Sequence, residues 1–332
     1  MSRPLLLSLV ASLLIACTGG SLGSDASPEG LTGETSEAAP ADAVPEAAPD
    51  TVSDAPPDEP HPTTSCDQIG KAPMGTDPTI AAPTGVATDG NLVFVTDPAG
   101  GAVLLYTSTL TFVQRYAGFD GAMPGGSFEP YGIAVDGKAI YVTDTNGGNG
   151  RVLKATPSGL FVKAWGDGEG GDPDLVKPYG LAVADDTVYV ADAANGSVYA
   201  FSSQGTLLRV VSQGVLQQPV ALAVTGTQLL VADAGAGEVV ALPTAGGEPV
   251  RLDLDGELDE PVGVAVDGDR VLVSDRGASR LVKGTLQDTF LGWCGGEGSG
   301  GGQLSRPRSL VVLDGNVFLA DYGNKRLVKI HP

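Results

Sequence analysis

The sequence predicts an all-β fold, and its composition is the first reason. The 332 residues include 48 Gly and 24 Pro but only 5% aromatic residues. Short runs of β-branched residues lie between segments rich in Gly and Asp, which is typical of short strands joined by tight turns. The second reason is an internal repeat: a unit that starts with Pro and closes with Asp fourteen positions later occurs six times, from Pro83, Pro130, Pro178, Pro219, Pro261 and Pro307.

The length of this repeat predicts the architecture. Successive Pro residues are 47, 48, 41, 42 and 46 positions apart, and a propeller blade of four short strands takes about 40 to 50 residues. Six such units predict a six-bladed β-propeller with four-stranded blades, in one domain that spans residues 66–332.

The first strand of each unit begins at the Pro, since a missing N–H is tolerated at a first strand position. A large and a small apolar residue follow, as in Val86 and Ala87, and we expect the small ones to face a tight contact near the axis. A turn such as Asp136-Gly137 then predicts a two-residue hairpin into the second strand. That strand ends at the closing Asp.

Third strands follow Gly-rich turns, as at residues 151–154, and residues 161–166 typify the fourth strand. The last unit, residues 307–332, has length for three strands only. Residues 66–82 precede the first unit and supply the missing length. We therefore predict that the N-terminal strand closes the last blade, which leaves no long unpaired sheet edge between the chain ends.

The repeat resembles the NHL-repeat family of six-bladed propellers across residues 66–332. The resemblance rests on Pro-x-Gly-[Ile/Leu/Val]-Ala-Val, on the strand end Tyr-Val-x-Asp, and on a following Asn/Arg pattern that is clear after Asp144, Asp275 and Asp321. It implies macromolecular interaction. Three units depart from the Arg position of the pattern, so a role carried by that Arg is not expected there; they hold Ala102, Ser197 and Glu238.

The N-terminus predicts export and lipidation. Arg3 precedes an apolar run of eleven residues, Leu5 to Ile15, which is shorter than the roughly 20 residues that span a bilayer and is typical of a signal peptide. The run ends in Leu-Ile-Ala-Cys17, which resembles the lipobox of bacterial lipoproteins and implies a diacylglycerol on the Cys17 sulfur. The alternative is an ordinary secretory signal that contains a cysteine. Because Thr18 rather than Asp follows, we expect an outer-membrane anchor, on the periplasmic or the surface side.

Residues 18–65 predict a disordered acidic tether. They contain ten Asp or Glu and eight Pro, with no Lys, Arg or aromatic residue, and such a segment buries too little apolar surface to fold. The chain carries a formal charge of −21, and residues 66–332 still carry −12, from 30 acidic and 18 basic residues. A phosphate-binding face needs positive charge. Nucleic acid is therefore excluded as a partner. RNA recognition by NHL propellers uses a basic face, which does not fit this negative charge.

The Asp that closes each unit allows two hypotheses. A ring of six carboxylates could hold a metal or serve catalysis, or each carboxylate could accept main-chain N–H bonds from the next turn. A feature that occurs in every blade is more naturally a property of the blade than of one site, which favours the structural hypothesis. The six residues are Asp97, Asp144, Asp192, Asp233, Asp275 and Asp321.

Enzymes related to this fold mostly depend on histidine. The chain has His61 and His331 only, which excludes the zinc chemistry of the peptide-amidating lyase and the histidine base of the paraoxonase type. A gluconolactonase-like site would use carboxylates and an Asn around Ca²⁺ in the central channel. No singular set of such residues stands out, so no catalytic residue, cofactor or metal ligand is assigned, and a Ca²⁺-dependent lactonase or related hydrolase remains the alternative function.

Two acidic loops, residues 166–174 and 253–260, lack the spacing of an EF-hand, and we expect solvated surface loops. They join outer strands to the next inner strands and so lie on the same face as the closing Asp residues. Function in such scaffolds usually resides on loops held by rigid strands, so this face is the candidate binding face.

The remaining cysteines, Cys66 and Cys294, allow a disulfide in an oxidising compartment. Two unpaired thiols are the alternative, because Cys66 would start its strand while Cys294 ends one. The sequence as a whole predicts a monomeric, non-catalytic binding scaffold for a protein or polysaccharide partner. A purely structural envelope lipoprotein without a small ligand is a third hypothesis.

Overall fold

The computed structural model describes residues 67–71, 80–119, 127–145, 150–168, 173–212, 214–256 and 258–331. The signal peptide, Cys17, the tether of residues 18–65 and Cys66 lie outside the described residues. No described residue belongs to a helix with the length and apolar character needed to cross a membrane.

The described strands form six antiparallel sheets of four strands each, which confirms the predicted all-β six-bladed propeller. Strand β1 (Asp67–Lys71) comes first in the chain. Blade one contains β2 (Val86–Thr88), β3 (Leu92–Asp97), β4 (Ala102–Thr107) and β5 (Phe112–Tyr116). Blade two contains β6 (Pro130–Val135), β7 (Ile140–Asp144), β8 (Arg151–Ala155) and β9 (Phe161–Trp165).

Blades three to six repeat this order. Blade three contains β10 (Pro178–Ala184), β11 (Thr187–Asp192), β12 (Ser197–Ser202) and β13 (Leu207–Ser212). Blade four contains β14 (Pro219–Thr225), β15 (Gln228–Asp233), β16 (Glu238–Pro243) and β17 (Val250–Leu252). Blade five contains β18 (Pro261–Asp267), β19 (Arg270–Asp275), β20 (Arg280–Thr285) and β21 (Phe290–Gly295). Blade six contains β22 (Pro307–Leu313), β23 (Asn316–Asp321) and β24 (Arg326–His331).

The first and last strands close the ring, as predicted. Strand β1 pairs antiparallel with β24, with Asp67 opposite His331 and Lys71 opposite Val328. It thereby becomes the outer strand of blade six, in the order β1-β24-β23-β22. All six sheets belong to one compact unit of the chain, Pro57–Pro332.

The hydrophobic core consists of clusters between neighbouring blades. One cluster packs Ala87 and Phe94 of blade one against Ile133 and Val142 of blade two, and equivalent clusters join the other neighbours. Both faces of each sheet are therefore covered. This explains why the second strands are apolar at consecutive positions rather than alternating, since a strand buried on both faces has no solvent side.

The inner strands approach each other most closely at the Gly that lies two residues after the Pro. A Cβ on Gly132 would lie 2.1 Å from the carbonyl oxygen of Tyr179 in the next blade, and one on Gly85 would lie 2.5 Å from that of Tyr131. The sequence analysis expected the tight contact at the small residue two positions later, such as Ala87. The structure places that residue in an inter-blade cluster instead.

A hydroxyl at the end of the second strand links some blades to the next. Thr143 Oγ1 accepts a hydrogen bond from Gly132 N at 2.7 Å and donates one to Tyr179 O of blade three at 2.8 Å. Thr96 does the same between blades one and two, and Ser274 donates to Arg308 O between blades five and six. The other three blades have Ala at this position: Ala191, Ala232 and Ala320.

We predict that Gly132→Ala destabilises the ring. The added methyl meets main chain that cannot move without shifting a neighbouring blade, and overpacking of this kind costs about 1–3 kcal/mol. The measurement is the free energy of unfolding in urea. Gly301→Ala is the matched control, because a Cβ there meets nothing within 4 Å. Equal stability of the two variants would contradict the assigned close approach.

Candidate functional site

The six closing Asp residues are buried side chains that accept main-chain hydrogen bonds. Asp97 accepts from Ala81 N at 2.9 Å and from Ala82 N at 2.8 Å. The carboxylates of the other blades accept in the same way from the residues that precede their own Pro: Glu129, Val176, Lys177, Gln217, Gln218, Asp259, Glu260 and Ser305.

All of these donors lie 15 or 16 residues before the Asp, and not in the turn that follows it, where the sequence predicts them. Following-turn donors occur as additional bonds in two blades, from Gly100 and from Ala194 and Asn195. Each carboxylate therefore fixes the loop that enters its own blade. None of the six is among the residues that line the central cavity described below.

Arginine neutralises the buried Asp in the three blades that match the repeat pattern best. Arg151 lies 2.7 Å from Asp144, Arg280 3.1 Å from Asp275, and Arg326 2.7 Å from Asp321. In blade three, which lacks the Arg, Asn195 donates to Asp192 at 2.7 Å instead. The Arg at this position of the repeat therefore has a structural role within these blades.

We predict that Arg151→Met lowers the free energy of unfolding by about 3–5 kcal/mol, because it leaves a buried carboxylate without its counter-charge. The side chains of Arg151 and Asp144 are only 5% and 0% exposed. Lys138→Met is the control, since the Lys138–Asp186 pair is 75% and 66% exposed and such pairs contribute about 0–1 kcal/mol. Urea unfolding of both variants is the measurement, and a similar loss in both would argue against a stabilising buried pair.

A cavity of about 460 Å³ lies on the propeller axis and is lined by the inner strands of all six blades. Its charged side chains, its two tyrosines and its one glutamine lie near the beginnings of the inner strands. We call this group the channel mouth: Tyr131, Tyr179, Gln218, Glu260, Arg276 and Arg308. Five of the six inner strands start at their Pro opposite the closing Asp, as Pro130 does opposite Asp144, whereas β2 starts three residues after Pro83 and not at the predicted Pro. The channel mouth therefore lies on the face that carries the closing Asp residues.

Two tyrosines from neighbouring blades form one side of the channel mouth. The rings of Tyr131 and Tyr179 stack with centroids 4.2 Å apart and planes 20° apart. Burial raises the pKa of the Tyr131 hydroxyl, and the adjacent Arg308 guanidinium lowers it in part. The balance is a raised pKa, so the phenol is neutral in the physiological range.

Arg308 of blade six reaches over blade one, where the small Thr84 occupies the equivalent position, and contacts blade two. Its Nη1 donates to the Tyr131 hydroxyl oxygen, and the guanidinium lies 4.3 Å from the ring centroid of Tyr322 and 5.3 Å from that of Tyr131. Its Nε is buried and has no hydrogen-bond partner among the described residues. No carboxylate in the described part of the chain forms an ion pair with it.

Arg276 is placed differently, because Glu260 binds it through two hydrogen bonds. That hydrogen bonding raises the pKa of the Arg276 guanidinium. The charged residues of the cavity lining are thus two Arg and one Glu, a positive site in a chain of formal charge −21.

The channel mouth contains no unusual set of carboxylates and is therefore not apparent from the sequence as a catalytic or metal site. The decisive position is the x of Pro-x-Gly, which varies while its neighbours repeat: Thr84, Tyr131, Tyr179, Val220, Val262 and Arg308. This variation at one position of a regular repeat is the feature of the sequence that indicates the channel mouth.

The described residues contain no group of three His, Cys, Asp or Glu arranged to hold a metal ion. Glu260 is the one carboxylate among the described cavity-lining residues, and Arg276 already binds it. A calcium site of the gluconolactonase type thus has no set of ligands in the described channel. Parts of both acidic loops, residues 169–172 and Glu257, lie outside the described residues.

Cys294 lies on β21, is buried and is disulfide-bonded. Its partner lies outside the described residues, and the pairing with Cys66 stays a prediction. The strand register bears on this pairing, because β21 ends and β1 begins at opposite ends of their blades. Cys294 pairs with Leu281 near the Asp-fixed face, whereas Asp67 begins β1 opposite His331 at the other end of blade six.

Comparison with known proteins identifies the fold and no family. No protein-family model matches the sequence, and no curated protein matches it. Among solved structures, a streptogramin B lyase is 14% identical over 79% of this chain and 96% of its own, with a TM-score of 0.58. The PQQ-bound aldose sugar dehydrogenase from Streptomyces coelicolor is 14% identical over 81% and 99%, with a TM-score of 0.55.

A third similar structure comes from a nidogen/laminin complex, 21% identical over 69% of this chain and 91% of its own, with a TM-score of 0.53. This chain is a six-bladed β-propeller. Its structural neighbours include a lyase, a dehydrogenase and a protein in complex with another protein, so likeness of fold leaves both binding and enzymatic roles open.

Proposed function

We propose that this chain is a non-catalytic, lipid-anchored binding propeller of the NHL-repeat type that holds a protein or glycan partner on the face of the channel mouth. The observation that carries the proposal is the cluster of Tyr131, Tyr179 and Arg308 at the centre of a face whose loops are fixed by buried carboxylates.

Rigidity of the face supports binding. Six buried Asp side chains hold the residues directly before the inner strands, so these residues need little ordering when a partner binds. Tyr and Arg dominate the energetics of protein interfaces, and aromatic rings offer flat apolar surface to sugar rings as well. The half-buried Tyr131 and Tyr179 supply such surface at the middle of the face.

The residue types at the channel mouth argue against hydrolysis. Catalysis of that kind needs a base or a metal-bound water near a reacting group. The one carboxylate of the channel mouth, Glu260, is bound by Arg276, and the chain has only two histidines, His61 and His331. His331 ends β24 at the opposite end of blade six from the channel mouth. One structurally similar protein supports partner binding, since it was solved in a nidogen/laminin complex.

The N-terminal sequence supports the proposed location at a membrane. We propose that Cys17 carries a lipid at the outer membrane and that residues 18–65 hold a monomeric propeller away from the lipid surface. Like charges extend such a segment, and ten acidic residues lie in it.

We predict that Cys17→Ser moves the protein from the membrane fraction to the soluble fraction of the cell, because the acceptor sulfur is lost. Fractionation with immunoblotting is the measurement. Thr18→Ser, one position further, is the control and is expected to stay in the membrane fraction. Continued membrane attachment of the Cys17→Ser protein would overturn the anchor, without bearing on the propeller.

We predict that Tyr179→Ala reduces capture of the partner by crosslinking on intact cells by about tenfold or more, the usual effect of removing an interface hot spot. Leu208→Ala is the control, because Leu208 lies on the outer strand of the same blade and is 51% exposed. Mass spectrometry of the captured material distinguishes protein from glycan. Equal capture by both variants would place the partner on another surface.

A further inference from the structure

The channel behind the mouth is a site that a partner on the outer face does not fill. We propose that it binds a small amphipathic carboxylate, whose carboxylate meets Arg308 while its apolar body lies between the six inner strands. This goes beyond the proposed function and depends on neither a macromolecular partner nor a lipid anchor.

The charge of the channel mouth favours an anionic ligand. Arg276 is already neutralised by Glu260, whereas Arg308 has no carboxylate partner among the described residues. Its buried Nε lacks an acceptor there, and a buried donor without a partner is costly. A carboxylate bound in the channel would supply the missing negative charge beside the guanidinium.

A second donor lies beside the guanidinium. The Tyr131 hydroxyl oxygen accepts from Arg308 Nη1, so its own hydrogen is left to donate to a ligand. Because its pKa is raised, this hydroxyl stays protonated and does not repel an anion. Hydrogen bonds to an ionised acceptor are the stronger kind, and together the two groups would hold and orient a carboxylate.

The alkyl side chains of the channel wall favour an apolar body for the ligand. Five of its six inner strands present Val five residues after the Pro, and the sixth presents Thr: Thr88, Val135, Val183, Val224, Val266 and Val312. A chain of CH₂ groups would lie against this ring of alkyl side chains and leave water, which is favourable. A neutral apolar molecule would leave Arg308 unpaired.

Size points to a small molecule rather than a chain. The cavity volume of about 460 Å³ lies in the range of small-molecule sites, which are mostly apolar with a few polar groups that fix orientation. The combination of one unpaired cation at the mouth and an alkyl wall behind it matches a medium-chain carboxylate.

The test is calorimetric titration of the purified protein with acetate, butanoate, hexanoate and octanoate. Affinity should rise about fourfold for each added CH₂ group until the channel is filled. Octan-1-ol, which has the same chain without the charge, should bind at least about tenfold more weakly than octanoate. This comparison uses the unmodified protein and so does not depend on the folding of a variant.

Arg308→Met should weaken octanoate binding about ten- to hundredfold, the usual effect of losing charge-assisted hydrogen bonds, and leave octan-1-ol binding unchanged. Arg306→Met is the matched control, because Arg306 also lies over the Tyr322 ring, at 5.3 Å, but does not line the cavity. It should change octanoate affinity less than twofold. Melting curves establish that both variants are folded.

Several results would overturn the proposal. These are the absence of saturable octanoate binding, equal binding of octan-1-ol, and an equal effect of the two Arg variants, which would indicate only diffuse electrostatic attraction. Tighter binding of a Val-Val-ended peptide with a free carboxylate than of octanoate would assign the channel to a chain end of a protein instead. Failure of partner capture at Tyr179 would leave the octanoate result unaffected, so the two proposals fail separately.

Discussion

Six inner strands converge on one axis, and their close approach constrains the rest of the molecule. Where blade two meets blade three, the main chain at Gly132 leaves no room for a side chain beside Tyr179 O. At the same place Thr143 joins both strands by hydrogen bonds. The Pro-x-Gly motif and the hydroxyl before the closing Asp are therefore two parts of one contact between blades.

Blade four meets the same constraint with different residues. It has Ala221 where four other blades have Gly, Ala232 where three of them have Thr or Ser, and Glu238 where three of them have Arg. Its inner strand still packs within the inter-blade cluster it shares with blade five. Close-packed apolar contact thus replaces the specific hydrogen bond and the buried ion pair, which is reasonable because burial of apolar surface supplies most of the stability.

The buried carboxylates connect this packing to the binding face. Asp233 accepts from Gln217 N and Gln218 N, and Gln218 is itself part of the channel mouth. Glu260 is placed in the same way through Asp275. The polar residues around the cavity are consequently held by bonds that belong to the blade repeat, while their side chains differ from blade to blade and give the site its chemistry.

Much of the fold followed from the sequence because the information that specifies it is local and repeated. Each unit carries its own Pro, hairpin turn and closing Asp, so six strand patterns and the closing strand could be derived without knowledge of their neighbours. The donors to the closing Asp could not, since Ala81 and Ala82 lie 16 and 15 residues before Asp97.

The channel mouth was decided by tertiary structure alone. Arg308 and Tyr131 are 177 residues apart, and they meet only because closure of the ring places blade six beside blade one and because Thr84 is small enough to let Arg308 reach blade two. In the sequence each of these residues occupies the variable position of a regular motif. Their common chemistry exists only where six strand beginnings surround one axis, because that geometry brings side chains from distant units within hydrogen-bonding distance.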